Sequence, residues 1–128
     1  MRAWIPILLI AAFSAAPAAA RRDDPEAELA RMIAGRSAGP PTACISLYPS
    51  TNSTTIDTIG IVYSQGRTLY VNRFEGGCSA LGIDRIIVTR TPSTRLCRGD
   101  IAQVMTRTPA MIVGSCVFGP FTPYAKAK

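Results

Sequence analysis

The sequence predicts a mainly β protein, a small antiparallel barrel or sandwich of about six strands preceded by one short helix. Three observations carry that expectation. From Thr42 onward, short runs rich in Ile, Val, Thr and Tyr are separated by Pro, Gly, Ser and Asn, as strands are by turns. Helical spacing is confined to the segment before it, where Leu29, Met32 and Ile33 recur at i, i+3, i+4. The four cysteines, Cys44, Cys78, Cys97 and Cys116, are spread through the β region as two disulfides would need.

The chain opens with Met1 and Arg2, a short positive start, followed by the apolar run "AWIPILLIAAFSAA" and an Ala-x-Ala end at Ala18 to Ala20. These are the marks of a secretory signal peptide over residues 1–20. The apolar run falls short of the roughly 20 residues that cross a bilayer, and no later stretch is longer, so no membrane span is expected after cleavage. No cysteine stands at the cleavage point to carry a lipid.

Residues 21–41 read as a short helix and a Gly/Pro linker. Asp24 can cap the helix, Pro25 suits its first position, Glu26 and Glu28 sit at its positive end, and Gly35 can close it. The helix is expected over about Pro25 to Ala34. Its apolar stripe suits a docked helix and a frayed leader about equally. "GRSAGPP" then reads as the linker.

Residues 42–124 form the β domain, with strands expected in "ACISLY", "TTIDTIGIVYS", "RTLYVNRF", "DRIIVTRT", "IAQVMTRT" and "AMIVGSCVF". Gln65-Gly66 reads as a tight turn. Ile59, Ile61 and Tyr63 alternate with Gly60 and Val62, as one buried strand face would. Pro92 and Pro109 each follow a strand and block its continuation. The last residues, 125–128, are the tail "AKAK".

The cysteines read as staples. No two stand as C-x-x-C and the chain has no histidine, which argues against a metal centre and against thiol redox chemistry. No cofactor is expected. Three connectivities are open, and loop length barely separates them. If successive strands run up and down, Cys44 and Cys97 fall at the same end, Cys97 in the turn after the fourth strand. That favours Cys44–Cys97 and Cys78–Cys116.

Catalysis finds little support. Without histidine the common general base is missing, and lysine occurs only at Lys126 and Lys128. Asp57, Glu75, Asp84 and Asp100 are the only carboxylates in the β region, and a hydrolase would show as a cleft collecting two of them. Charge offers another lead. The net charge is +6, and Arg36, Arg67, Arg73, Arg85, Arg90, Arg95, Arg98 and Arg107 supply the positive groups between the helix and the tail. Arginine forks suit carboxylates and phosphates, so an anionic envelope component, or a protein, is the candidate partner, while a modest positive charge also serves solubility alone. No nucleic-acid motif accompanies the charge.

The candidate binding surface is Arg73, Arg95 and Arg98 with Tyr70 and Asn72. Tyr70 and Asn72 would share one strand face while Arg73 turns to the other. An Asn on a strand more often satisfies nearby backbone than a ligand. Arg98-Gly99-Asp100 is ordinary turn chemistry, and Asn52-Ser53-Thr54, a glycosylation match, marks a polar loop.

"ACISL", "TLYVNR", "RLCRGD" and "CVFGPFTPY", in this order and at these spacings, resemble a family of small secreted bacterial proteins of unknown function. The resemblance covers about Cys44 to Tyr124. "YPSTNSTT", Tyr48 to Thr55, departs from the more charged loop usual there. The resemblance implies a periplasmic or secreted address and a disulfide-stabilised β domain, and it transfers no catalytic residue. The expected function is an exported, non-catalytic envelope binding or accessory module. The alternatives are a small inhibitor of an envelope or cell-wall hydrolase, presenting "RLCRGD", and a carboxylate-based hydrolase.

Overall fold

The structure, a computed structural model, describes residues 24–49, 51–82 and 84–127, so the expected signal peptide lies outside the described residues. One helix, α1 (Pro25–Ile33), precedes the strands β1 (Arg36–Ala38), β2 (Cys44–Ser46), β3 (Asn52–Ile56), β4 (Gly60–Gln65) and β5 (Thr68–Arg73). Next come β6 (Arg85–Thr89), β7 (Arg95–Cys97), β8 (Ile101–Thr106), β9 (Ile112–Val117) and β10 (Phe121–Lys126). They form a five-stranded sheet β1-β10-β5-β4-β3, a three-stranded sheet β6-β8-β9 and a two-stranded sheet β2-β7, all antiparallel. The mainly β expectation holds. None of these sheets closes on itself, so no barrel is seen; the open sheets are consistent with a sandwich-like fold.

Short strands account for most differences from the sequence reading. "TTIDTIGIVYS" is a hairpin, β3 and β4, turning at Asp57 to Ile59 with Thr58 in the left-handed region at φ 58°. A β-branched residue rarely takes that conformation, so no Gly or Asn marks the turn. The expected linker contains β1, which pairs Arg36 with Lys126 and Ser37 with Ala125. The first half of the expected tail is therefore strand. Arg36 reinforces this edge by donating from Nη1 to the carbonyl of Arg67 at 2.8 Å. Cys97 lies not in a turn but in β7, directly opposite Cys44.

The five-stranded sheet is buried on both faces. On one face Ile61 and Tyr63 of β4 and Phe121 of β10 meet Ala102, Val104 and Cys116 of the three-stranded sheet, with Ile45, Leu96 and Phe118. On the other, Val62, Leu69, Val71 and Ile56 meet Leu29 of α1, with Met32 and Ile33 beside it. The helix is thus docked, with Leu29 only 3% exposed. Two buried faces explain why Ile59 does not continue the row of Ile61 and Tyr63: it packs on the helix side, and Val62 is as buried as its neighbours.

Asp24 caps α1, its carboxylate accepting from the Glu26 N–H at 3.2 Å, and the helix is clamped to β5 by Arg73. Arg73 donates both guanidinium nitrogens to Glu26, at 2.6 and 2.8 Å. Those hydrogen bonds, with the Arg73 charge, hold the Glu26 carboxyl below the usual carboxylate range. A depressed carboxylate stabilises the fold above its unfolded pKa and loses that contribution as pH falls through the lowered value. Acidification past the usual carboxylate range is therefore expected to lower amide-exchange protection in α1 while β4 and β5 stay protected. Glu26→Gln should loosen α1 already at neutral pH and abolish this pH dependence; unchanged protection in both cases would assign the docking to Leu29 alone. The pair is exposed, so the effect is small.

Candidate functional site

The sequence-predicted surface does not assemble. Asn72 is fully buried: its Nδ2 donates to the Gly119 carbonyl at 2.7 Å and its Oδ1 accepts from the Gly119 N–H at 3.1 Å. It is a backbone clamp and not part of a surface. Tyr70, on the same face, is half-buried against the first core. Arg73 faces the helix and is held by Glu26, and Arg98 Nε donates to Glu75 at 3.0 Å. Arg95 alone is exposed with no ion pair among the described residues.

"RLCRGD" is a pinned turn. Asp100 accepts from the Cys97 N–H at 2.8 Å, and Gly99, at φ 89°, donates its N–H to the Phe118 carbonyl at 2.9 Å. The Arg98 N–H donates to the Ala43 carbonyl at 2.6 Å. Cys97 itself is bonded to Cys44, with Cα atoms 4.0 Å apart across the β2-β7 pair. The second bridge, Cys78–Cys116, ties the segment after β5 to β9.

The structure instead opens a cleft where the two larger sheets present edge strands, β3 and β6. One part has a volume of about 320 Å³ and is lined by Ser53 and Thr55 of β3, Ile61 and Tyr63 of β4, and Arg85, Ile86, Ile87 and Thr89 of β6, with Leu47 and Arg107. An adjoining part of about 420 Å³ shares Ser53, Thr55, Arg85 and Arg107 and is walled by Glu28, Asp57 and Asp84. Strand register explains the lining. Ser53 stands opposite Tyr63 and Thr55 opposite Ile61, so the hydroxyls share the face that meets the first core. On β6 the two-residue period puts Arg85, Ile87 and Thr89 on the cleft side. Val88 and Arg90 lie with Ile101 and Gln103 on the other side, where Ile101 is half exposed.

Arg85 and Arg107 make no ion pair among the described residues, unlike Arg73 and Arg98. They line the cleft together with Ser53, Thr55 and Tyr63. Burial raises the Tyr63 phenol well above its ordinary value, so it remains a neutral hydroxyl. At the other end, Asp57 Oδ1 is buried with no hydrogen-bond donor among the described residues, beside Gly82. Chemically the cleft offers two fixed cations, a row of hydroxyls and an acidic end. Arg85 and Arg107 were visible in the sequence only as two arginines among many. What distinguishes them is the approach of β3 to β6, far apart in the chain. Comparison with protein families, curated proteins and solved structures finds no match to this chain.

Proposed function

We propose that this protein is an exported, non-catalytic binding module that holds an anionic group of an envelope partner in the cleft between β3 and β6. The observation that carries this reading is the pair of cleft arginines, Arg85 and Arg107, which make no ion pair among the described residues although Glu28, Asp57 and Asp84 line the adjoining part. The two disulfides suit an oxidising compartment, as does the apolar leader, and the resemblance to small secreted bacterial proteins points the same way.

Retention on envelope fractions tests it. Arg85→Ala combined with Arg107→Ala should lower affinity by about tenfold or more, since each charged hydrogen bond carries about 1.5–3 kcal/mol. Arg73→Ala with Arg98→Ala should leave it within about threefold, and binding should weaken with salt. The opposite ranking would move the site back to the Arg98 turn and favour the inhibitor reading.

One observation favours a second reading. Asp57 and Asp84, two of the four β-region carboxylates, line the same part of the cleft. A carboxylate hydrolase would release fragments from cell-wall glycan and lose that activity in Asp57→Asn and Asp84→Asn. The binding reading predicts no release by any of the three proteins.

A further inference from the structure

We infer that the partner enters this cleft as an extended polypeptide, adding as a strand along the edge of β6 and facing β3, with an acidic side chain or terminal carboxylate on Arg85 and Arg107. The inference rests on the cleft being the binding site and names the class of its ligand. Both strands are terminal in their sheets, each hydrogen-bonded to a neighbour on one side only. Each therefore presents a row of backbone donors and acceptors on the other side, and an incoming polypeptide backbone is the chemical group that matches such a row. The outward-facing residues are Ser53 and Thr55 on β3 and Arg85, Ile87 and Thr89 on β6, and among the described residues only the Arg85 N–H is taken, by the Gly82 carbonyl at 3.2 Å.

Apart from the charge of Arg85, the edges lack the devices that usually block strand addition. β3 reads "NSTTI" and β6 reads "RIIVT", without proline or lysine, and the irregularity in the three-stranded sheet falls between β8 and β9, away from β6. β1, another edge, is by contrast only three residues long. β3 and β6 each run five residues, about 17 Å of edge at ~3.3 Å per residue. A segment of that length would meet Arg85, Ile87 and Thr89 at alternate positions on one side and Ser53 and Thr55 on the other. The two guanidiniums then select carboxylate at one position, and Ile87 an apolar residue next to it on the same face.

The test uses the full oxidised protein, and its main arm changes the ligand, so that arm does not depend on the folding of a variant. A random seven-residue peptide display library is selected on the protein, and a captured sequence is synthesised as the parent and with alternate backbone amides N-methylated. The parent should slow amide exchange at Ile87 and Thr89, whose N–H groups face away from β8, N-methylation should weaken binding by about tenfold or more, and Arg85→Ala should do likewise. Selection that yields no binder, equal affinity of the N-methylated peptide, or protection elsewhere would overturn the strand. Inorganic phosphate and polygalacturonate serve as parallel probes. If they bind through Arg85 and Arg107 while peptides fail, the cleft reading survives and the strand inference falls. If phosphate, polygalacturonate and peptides all fail to bind, both fall.

Discussion

Replacing Cys78 and Cys116 together by alanine is expected to lower the unfolding free energy by about 4 kcal/mol, the largest single effect in this protein. The bridge spans a sequence separation of 38, and cross-linking a loop of that size removes about that much chain entropy from the unfolded state. Both sulfurs also lie in the first core, where Cys78 is 2% exposed, so their loss leaves a void beside Leu81 and Phe118. Against a total of about 5–15 kcal/mol for a domain, such a loss leaves the fold marginal. The Cys44–Cys97 bridge, with a separation of 53, has a similar entropic effect. It joins the three-residue strands β2 and β7, which hold few ladder bonds of their own. Urea denaturation of the two double variants checks this. A loss under about 1 kcal/mol for either would mean that packing alone holds the sheets.

Asn72→Leu is expected to cost about 3 kcal/mol, although it keeps the number and branching of side-chain heavy atoms and places an apolar group in a buried site. The substitution removes both partners of Gly119, and each buried backbone group left unpaired costs about 1–3 kcal/mol. The backbone packs closely at Gly119, where an added Cβ would collide with the carbonyl oxygen of Arg73. The turn it forms delivers Phe118 and Phe121 into the core, both fully buried, with ring centroids 6.1 Å apart. Phe121 in turn packs against Tyr63, at 6.1 Å, under the cleft. The clamp therefore reaches the candidate site through two aromatic contacts. Asn72→Asp separates hydrogen bonding from packing. Its carboxylate still accepts from the Gly119 N–H but repels the Gly119 carbonyl, whereas the protonated acid can donate to it. Such a group has a folded pKa raised above its unfolded value, so stability should rise as pH falls through the folded pKa. Equal thermal midpoints for Asn72→Leu and wild type would show that the Gly119 bonds contribute nothing.

How much of this was legible depended on how locally each feature is encoded. The α1 cap was readable because Asp24, Pro25 and the acidic first turn are adjacent, and the stripe of Leu29, Met32 and Ile33 named the face that docks. The disulfide pairing followed from strand direction, although Cys97 sits in a strand and not a turn. β1, β7 and the whole of β10 escaped because three-residue ladders carry no apolar period and "FTPYAK" is interrupted by Pro123 and ends polar. The β3-β4 turn escaped because Thr58 stands where glycine would signal it. The double burial of β4 was masked because "GIVY" suits one buried face or two equally well.

The candidate site was the least legible part. Sequence could list the arginines but not their partners. Glu26 lies 47 residues from Arg73 and Glu75 lies 23 from Arg98, and each pairing removes an arginine from the set available to a ligand. Asn72 likewise finds its partner 47 residues away. The cleft exists only because two edge strands from different sheets border one space, a tertiary fact without a motif. The acidic end, which Asp57 and Asp84 both line, arises in the same way.

Underneath both the fold and the proposed binding role lies one claim, that this is an exported domain whose open sheets are tied by two specific covalent bridges. Mass spectrometry of the protein from its native host, alkylated and digested without reduction, tests it most directly. The account predicts a chain beginning at Arg21, no alkylated cysteine, and cross-linked peptides joining Cys44 to Cys97 and Cys78 to Cys116. An intact leader with four alkylated thiols, or bridges joining the cysteines in another order, would contradict it.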